Sequence, residues 1–105
     1  MAIQIDVIRS LAASDNIALK RHSILRMHQR RITADELKEA LLYCMLIEDY
    51  PSDRPLPSGL VLGRTAEGRV IHAVVAVDDD EPMLWIITVY EPTLSDWKEG
   101  FEQRR

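Results

Sequence analysis

A chain of 105 residues, 47% hydrophobic and 29% charged, is long enough for one ordinary core and too short for two. Its formal net charge of −4 argues against a general-purpose nucleic-acid binder, and its single cysteine rules out an internal disulfide. With no long apolar run and no signal-peptide pattern at its start, it reads as a soluble, non-membrane protein of a reducing cytoplasm, with Cys44 a small buried hydrophobe.

Ile3 to Ala13 places Ile3, Val7, Ile8 and Leu11 at helical spacing, a short lead-in helix broken by Ser14-Asp15-Asn16. This segment, residues 1–15, reads as peripheral: a packing strut or a dimer contact, which leaves a homo-oligomer open. A second helix is expected from about Ala18 to Gln29 or Arg30. Thr33 and Glu36 have the spacing of a capping box, so a third helix should span Ala34 to Tyr43, burying Leu37, Ala40, Leu41 and Leu42.

The second helix holds most of the chemistry. On a helix turning about 100° per residue, His22, Arg26 and Arg30 share one polar arc, with Ile24, Leu25, Met27 and His28 on the other side. No acid occurs between Asn16 and Ala34, whereas Lys20, Arg21, Arg26, Arg30 and Arg31 do; the remaining 8 of the 13 Lys and Arg then face 17 acids. One basic face on an acidic body suits phosphate or an acidic partner, since Arg presents a fixed fork of donors and His moves a proton near neutral pH. The plainer reading is a solvated helix face with an incidental histidine. His28, on the apolar side, is expected to be structural.

Past the third helix the period changes. Met45–Tyr50 and Gly59–Arg64 read as strands flanking a proline-held loop, residues 51–57. Val70–Val77 and Met83–Tyr90 are nearly continuous apolar runs, as in strands buried on both faces, joined by a hairpin loop over residues 78–82. Thr93 should cap a last helix from Leu94 to about Gln103, with Trp97 and Phe101 facing inward. Together these elements predict a single α+β domain: N-terminal helices on a four-stranded, mainly antiparallel sheet with a C-terminal helix.

A hairpin pivoting on Asp80 would set His72 opposite Thr88 with Tyr90 diagonal to it, all on one face. Polar residues on such strands form either a pocket or a core histidine satisfied by its neighbours. The acidic run Asp78–Glu81 lacks calcium-loop spacing and zinc ligand pairs, and Ser58 lacks a nucleophile elbow. No phosphate-cradling glycine loop or dinucleotide fingerprint occurs, so neither a metal nor a cofactor is expected.

The succession HSILRMHQRRIT, IEDYPSDRPLPSGLVLG, VIHAVVAVDDDEP and IITVYEP followed by a Trp resembles the bacterial DUF4258 family, with residues 18–98 as its core. That resemblance implies a RelE-like (BECR-type) fold, similar to the RelE and MqsR ribonuclease toxins, and a neighbouring small antitoxin with zinc-finger and helix-turn-helix parts. Carried over by position, the family's polar pattern falls on His22, Arg26, Arg30, His72, Thr88 and Tyr90. Arg31 departs from it, standing where many relatives have the glycine expected past a helix end. The implied activity is a metal-independent endoribonuclease in which the RNA 2′-hydroxyl attacks the adjacent phosphorus. His22 or His72 would be base and acid, Arg26 and Arg30 would clamp the phosphate, and Tyr90 would donate a proton or stack on a base. Lys20, Arg21 and Thr88 would bind substrate. The alternatives are a non-catalytic protein- or RNA-binding module and a degenerate toxin retaining only antitoxin binding.

Overall fold

In the computed structural model, which describes residues 3–105, the elements run α1 (Ile5–Ala13), β1 (Ile17–Leu19), α2 (Arg21–Gln29), α3 (Ala34–Leu42), β2 (Met45–Tyr50), β3 (Ser58–Arg64), β4 (Val70–Asp78) and β5 (Met83–Tyr90). The α+β class holds, and α3 starts where its capping box places it, with Thr33 and Glu36 bonded reciprocally. The sheet differs from expectation. It has five strands, not four, in the order β1-β5-β4-β3-β2, and it is mixed, because β1 runs parallel to β5 while the other pairs are antiparallel. Three residues are too few to show a period, which is why Ala18 and Leu19 read as the start of α2.

The expected C-terminal helix is also absent. Gly100 and Phe101 take φ of 85° and 61°, a left-handed pair that no α-helix accommodates. Residues 92–105 instead fold back on themselves, closed by an antiparallel bridge between Trp97 and Arg104. Among the described residues its main-chain to main-chain hydrogen bonds are internal to it, such as Trp97 N–H to Thr93 and Lys98 N–H to Gln103.

Alternation along the strands sorts the core. Ile71, Ala73 and Val75 of β4 join Ile86 and Val89 of β5 and the helix residues Ile8, Leu11, Met27, Leu37 and Leu41 in one apolar cluster. α1 is thus an integral part of the core rather than a peripheral strut, with Ile8 and Ala12 fully buried. α3 approaches β3 so closely that a Cβ on Gly63 would stand 1.9 Å from the Ala40 carbonyl oxygen. Cys44 is buried as expected; burial pushes its thiol up to about 11, so it is an inert thiol.

The even-numbered residues of β4, His72, Val74 and Ala76, face away from the helices. Here the register departs from a simple hairpin: His72 pairs with Tyr90 and Val74 with Thr88, and then a bulge at Ile87 brings Val75 opposite Ile86. The turn itself pairs Asp78 with Met83, one residue away from a pivot on Asp80, and the bulge adds one more, so His72 faces Tyr90 instead of Thr88, two positions on. His72, Thr88 and Tyr90 still share one face.

Candidate functional site

α2 lies along the outer edge of β5. β1 covers that edge only as far as Ile86, and beyond it α2 side chains take the exposed carbonyls. Ser23 Oγ donates to the Ile86 and Ile87 carbonyls at 2.9 and 3.3 Å, and Arg30 Nη1 donates to Val89 at 2.7 Å. An unpaired sheet edge is thereby satisfied without a further strand. This anchoring sets the roll of the helix: Ser23 and Met27 are its buried line, while Ile24 and Leu25, expected on the inner side, are 53% and 56% exposed. His28, expected inside as a structural residue, is exposed.

Lys20, Arg21, His22, Arg26 and Arg31 are all exposed. Among the described residues none of the four cations in that set, nor Arg30, forms a salt bridge with a carboxylate. Arg30 sits against the carbonyl that precedes Tyr90, so the main chain of β5 at Tyr90 lies beside α2 while the Tyr90 hydroxyl is turned to His72. Thr88 is two residues before Tyr90 and half-buried.

A family model for a domain of unknown function matches residues 19–91, well over half the chain. The chain belongs to the DUF4258 family. No curated protein and no solved structure matches it. The DUF4258 region ends at Glu91, where the folded-back C-terminal segment begins, and that segment determines the state of His72.

His72 is fully buried on the sheet face away from the helices. Trp97 stands edge-on to its ring at 4.5 Å between centroids, and Tyr90 lies at 5.3 Å on another side. Nε2 lies 2.8 Å from the Phe101 carbonyl oxygen, which can only accept, so Nε2 carries the proton; Nδ1 then accepts from the Tyr90 hydroxyl at 3.2 Å. Burial holds the imidazole pKa below its ordinary value and the Tyr90 hydroxyl above its own, so both are neutral. His72 is a satisfied core histidine. His22 is exposed and, among the described residues, without a hydrogen-bond partner, whereas His72 is enclosed, so the two line no common groove.

Around this pair the DUF4258 chain adds residues that sequence reasoning did not single out. Arg104 grips Glu48 with two hydrogen bonds, at 2.7 and 3.0 Å, and its guanidinium lies 4.7 Å over the Trp97 ring. Tyr50 donates to the same Glu48 carboxylate. The Arg104 bonds hold the Glu48 carboxyl below the usual range, outweighing burial, which acts the other way. Glu48 and Tyr50, two polar residues at strand spacing, were a readable signal; Arg104 carried none.

A second region of the same face stays open. Lys20, Asp53, Arg54, Pro55, Leu56, Ala76, Asp78, Trp85 and Ile87 line a cleft of about 360 Å³. On the helix side, Leu19, Ile24, Met27, His28, Arg31 and Ile32 line an apolar groove of about 430 Å³. Among the described residues no helix is long and apolar enough to cross a membrane, and no cluster of three His, Cys, Asp or Glu could hold a metal ion.

Proposed function

We propose that this domain binds RNA through the outward face of α2 and the adjoining edge of β5, as a module of the RelE-like toxin class. One observation carries the reading. Five cations within twelve residues, Lys20, Arg21, Arg26, Arg30 and Arg31, have no carboxylate partner among the described residues, on a chain that is otherwise acidic. Unneutralised guanidiniums on one exposed face favour a phosphate backbone. Helices that precede an antiparallel β2–β5 sheet support the fold kinship.

Cleavage asks for more than binding. Attack by a 2′-hydroxyl needs one group to take a proton and another to give one. With His72 enclosed and both its nitrogens bonded, His22 is the imidazole of the Arg26 arc left to serve; His28, also exposed, lines the apolar groove. Binding is therefore the better-supported activity.

The test is fluorescence anisotropy of a labelled single-stranded RNA with the purified protein, in chelator, at low and moderate salt, followed by a gel of the RNA. The expected result is salt-sensitive binding that Arg26→Ala weakens more than Arg31→Ala, with the RNA intact. No binding at low salt overturns the reading, and cleavage in chelator replaces it with the endoribonuclease.

A second reading concerns partners. Ile24, exposed like its neighbour Leu25, lines the apolar groove together with His28 and Arg31. An acidic amphipathic helix of a small antitoxin matches such a surface. Co-expression with the adjacent gene and affinity purification tests it; recovery of this chain alone counts against it.

A further inference from the structure

The geometry points to a nucleotide subsite in the open cleft on the sheet face away from the helices, with a base stacked on Trp85 and its phosphate held between Lys20 and Arg54. Its physiological occupant, one nucleotide of a bound RNA strand, rests on the RNA reading above.

The backbone puts the groups there. Ala18 pairs with Trp85 and Trp85 with Ala76, so all three lie in one row, and alternation sends Lys20, two residues after Ala18, to the same side. Ile17 and Leu19 turn the other way, toward the helices. Trp85, Ala76 and Ile87 make an apolar floor, and Pro55 and Leu56 of the β2–β3 loop make a wall. At about 360 Å³ the cleft is of ligand size.

The rim is charged, and with both signs. Lys20 has no carboxylate partner among the described residues and lies 6.0 Å from the Trp85 ring centre, at the outer limit of cation–π attraction. Arg54 uses Nη1 on the carbonyls of Ser52 and Asp53, and its other nitrogens have no partner among the described residues. Opposite in sign are two half-engaged carboxylates. Asp53 accepts from Ser58 through Oδ2, and Asp78 accepts the Asp80 and Glu81 N–H groups through Oδ1, so each keeps an oxygen without a partner among the described residues.

An aromatic face, two cations and two spare carboxylate oxygens match a nucleotide. Stacking is open to any base, the cations suit the phosphate, and a carboxylate accepts from an amino-bearing base edge. A purely anionic ligand would meet Asp53 and Asp78, and a cationic one would meet Lys20 and Arg54. Guanine can give N1–H or N2–H to such a spare oxygen, and uracil, with N3–H alone, fits less well.

The probe is guanosine monophosphate titrated into the full chain, followed by tryptophan fluorescence and by amide chemical shifts. Trp97 is buried, so Trp85 supplies the ligand-sensitive emission. The expected result is saturable quenching in the millimolar range or below, with shifts centred on residues 18–20, 76–78 and 85–87. Lys20→Gln should weaken guanosine monophosphate roughly three- to tenfold while leaving guanosine unchanged. Asp78→Asn, whose amide oxygen can still accept the turn N–H groups, should erase the preference over uridine monophosphate.

No saturable response, or a response that Lys20→Gln leaves untouched, overturns the subsite. RNA binding without any change at Trp85 also overturns it while sparing the RNA reading. Mononucleotide binding that meets these expectations supports the subsite even where RNA fails to bind.

Discussion

His72 and Phe101 are joined by a hydrogen bond from an imidazole N–H to a main-chain carbonyl at 2.8 Å, and the residue supplying that carbonyl has a left-handed backbone. A non-glycine at φ 61° is held there by its surroundings. The conformation aims the carbonyl at the ring, and the bond couples a core histidine to a segment outside the family match.

That coupling makes stability pH-dependent. Burial lowers the His72 pKa in the fold, while the unfolded chain titrates near the ordinary value of about 6.5. Below that value the unfolded state binds the proton first. Stability from the neutral ring is therefore complete above about pH 6.5 and lost as pH falls toward the folded-state pKa. Urea titrations from pH 8 to 5 should show this decline, and His72→Gln, which keeps a donor but cannot titrate, should flatten it. Staying above pH 5 keeps Glu48, whose pKa is also lowered, ionised.

Arg31 should be improvable. It follows α2 at φ 56°, the left-handed position of a Schellman motif in which Ile32 N–H bonds the Met27 carbonyl at 2.9 Å and Arg31 N–H bonds that of His28 at 3.2 Å. A side chain there costs roughly 1–2 kcal/mol, part of which glycine returns as unfolded-state entropy. Arg31→Gly should stabilise by about 1 kcal/mol, read as a rise of a few degrees in Tm. Arg31→Ala should give no such gain.

Gly63→Ala should do the reverse. The added carbon would meet the Ala40 carbonyl oxygen at 1.9 Å, which is backbone and cannot swing away. α3 would have to lift from β3, at a cost of about 3 kcal/mol or more. Gly68→Ala, at φ 88° with open space around it, should cost only about 1 kcal/mol. Denaturation midpoints of the two variants separate packing from backbone strain.

Ser23→Ala tests the α2 anchor without touching a charge. The Ile86 and Ile87 carbonyls would each lose a donor at the sheet edge, a loss of roughly 1–3 kcal/mol. Hydrogen exchange should quicken in α2 more than in β3 and β4.

How much of this was legible follows from how local each signal was. The α3 capping box and the long runs of β4 and β5 are written in neighbouring residues, and these elements stand close to where they were expected. The roll of α2 was not, because apolar spacing put Ile24 and Leu25 inside whereas distant carbonyls on β5 put Ser23 there. The Ile87 bulge, which shifts what faces His72 by one residue, has no signature in a continuous apolar run. In the C-terminal segment the i to i+4 spacing of Trp97 and Phe101 imitated a helix, although Gly100 lies between them. Both rings turn inward at least in part, on a different backbone.

The parallel pairing of Ile17 with Leu84 sets an order of assembly. β1 is made early in synthesis, but the strand it joins emerges only after nearly the whole family region has been built. Until then α2 has no edge to lie against, since Ser23 and Arg30 bond to carbonyls of that same late strand. The β4–β5 hairpin, whose contacts span few residues, can form first and act as the template on which the N-terminal segments close. A ribosome-bound chain that stops short of Met83 should therefore hold its basic helix undocked, and docking should coincide with the appearance of β5.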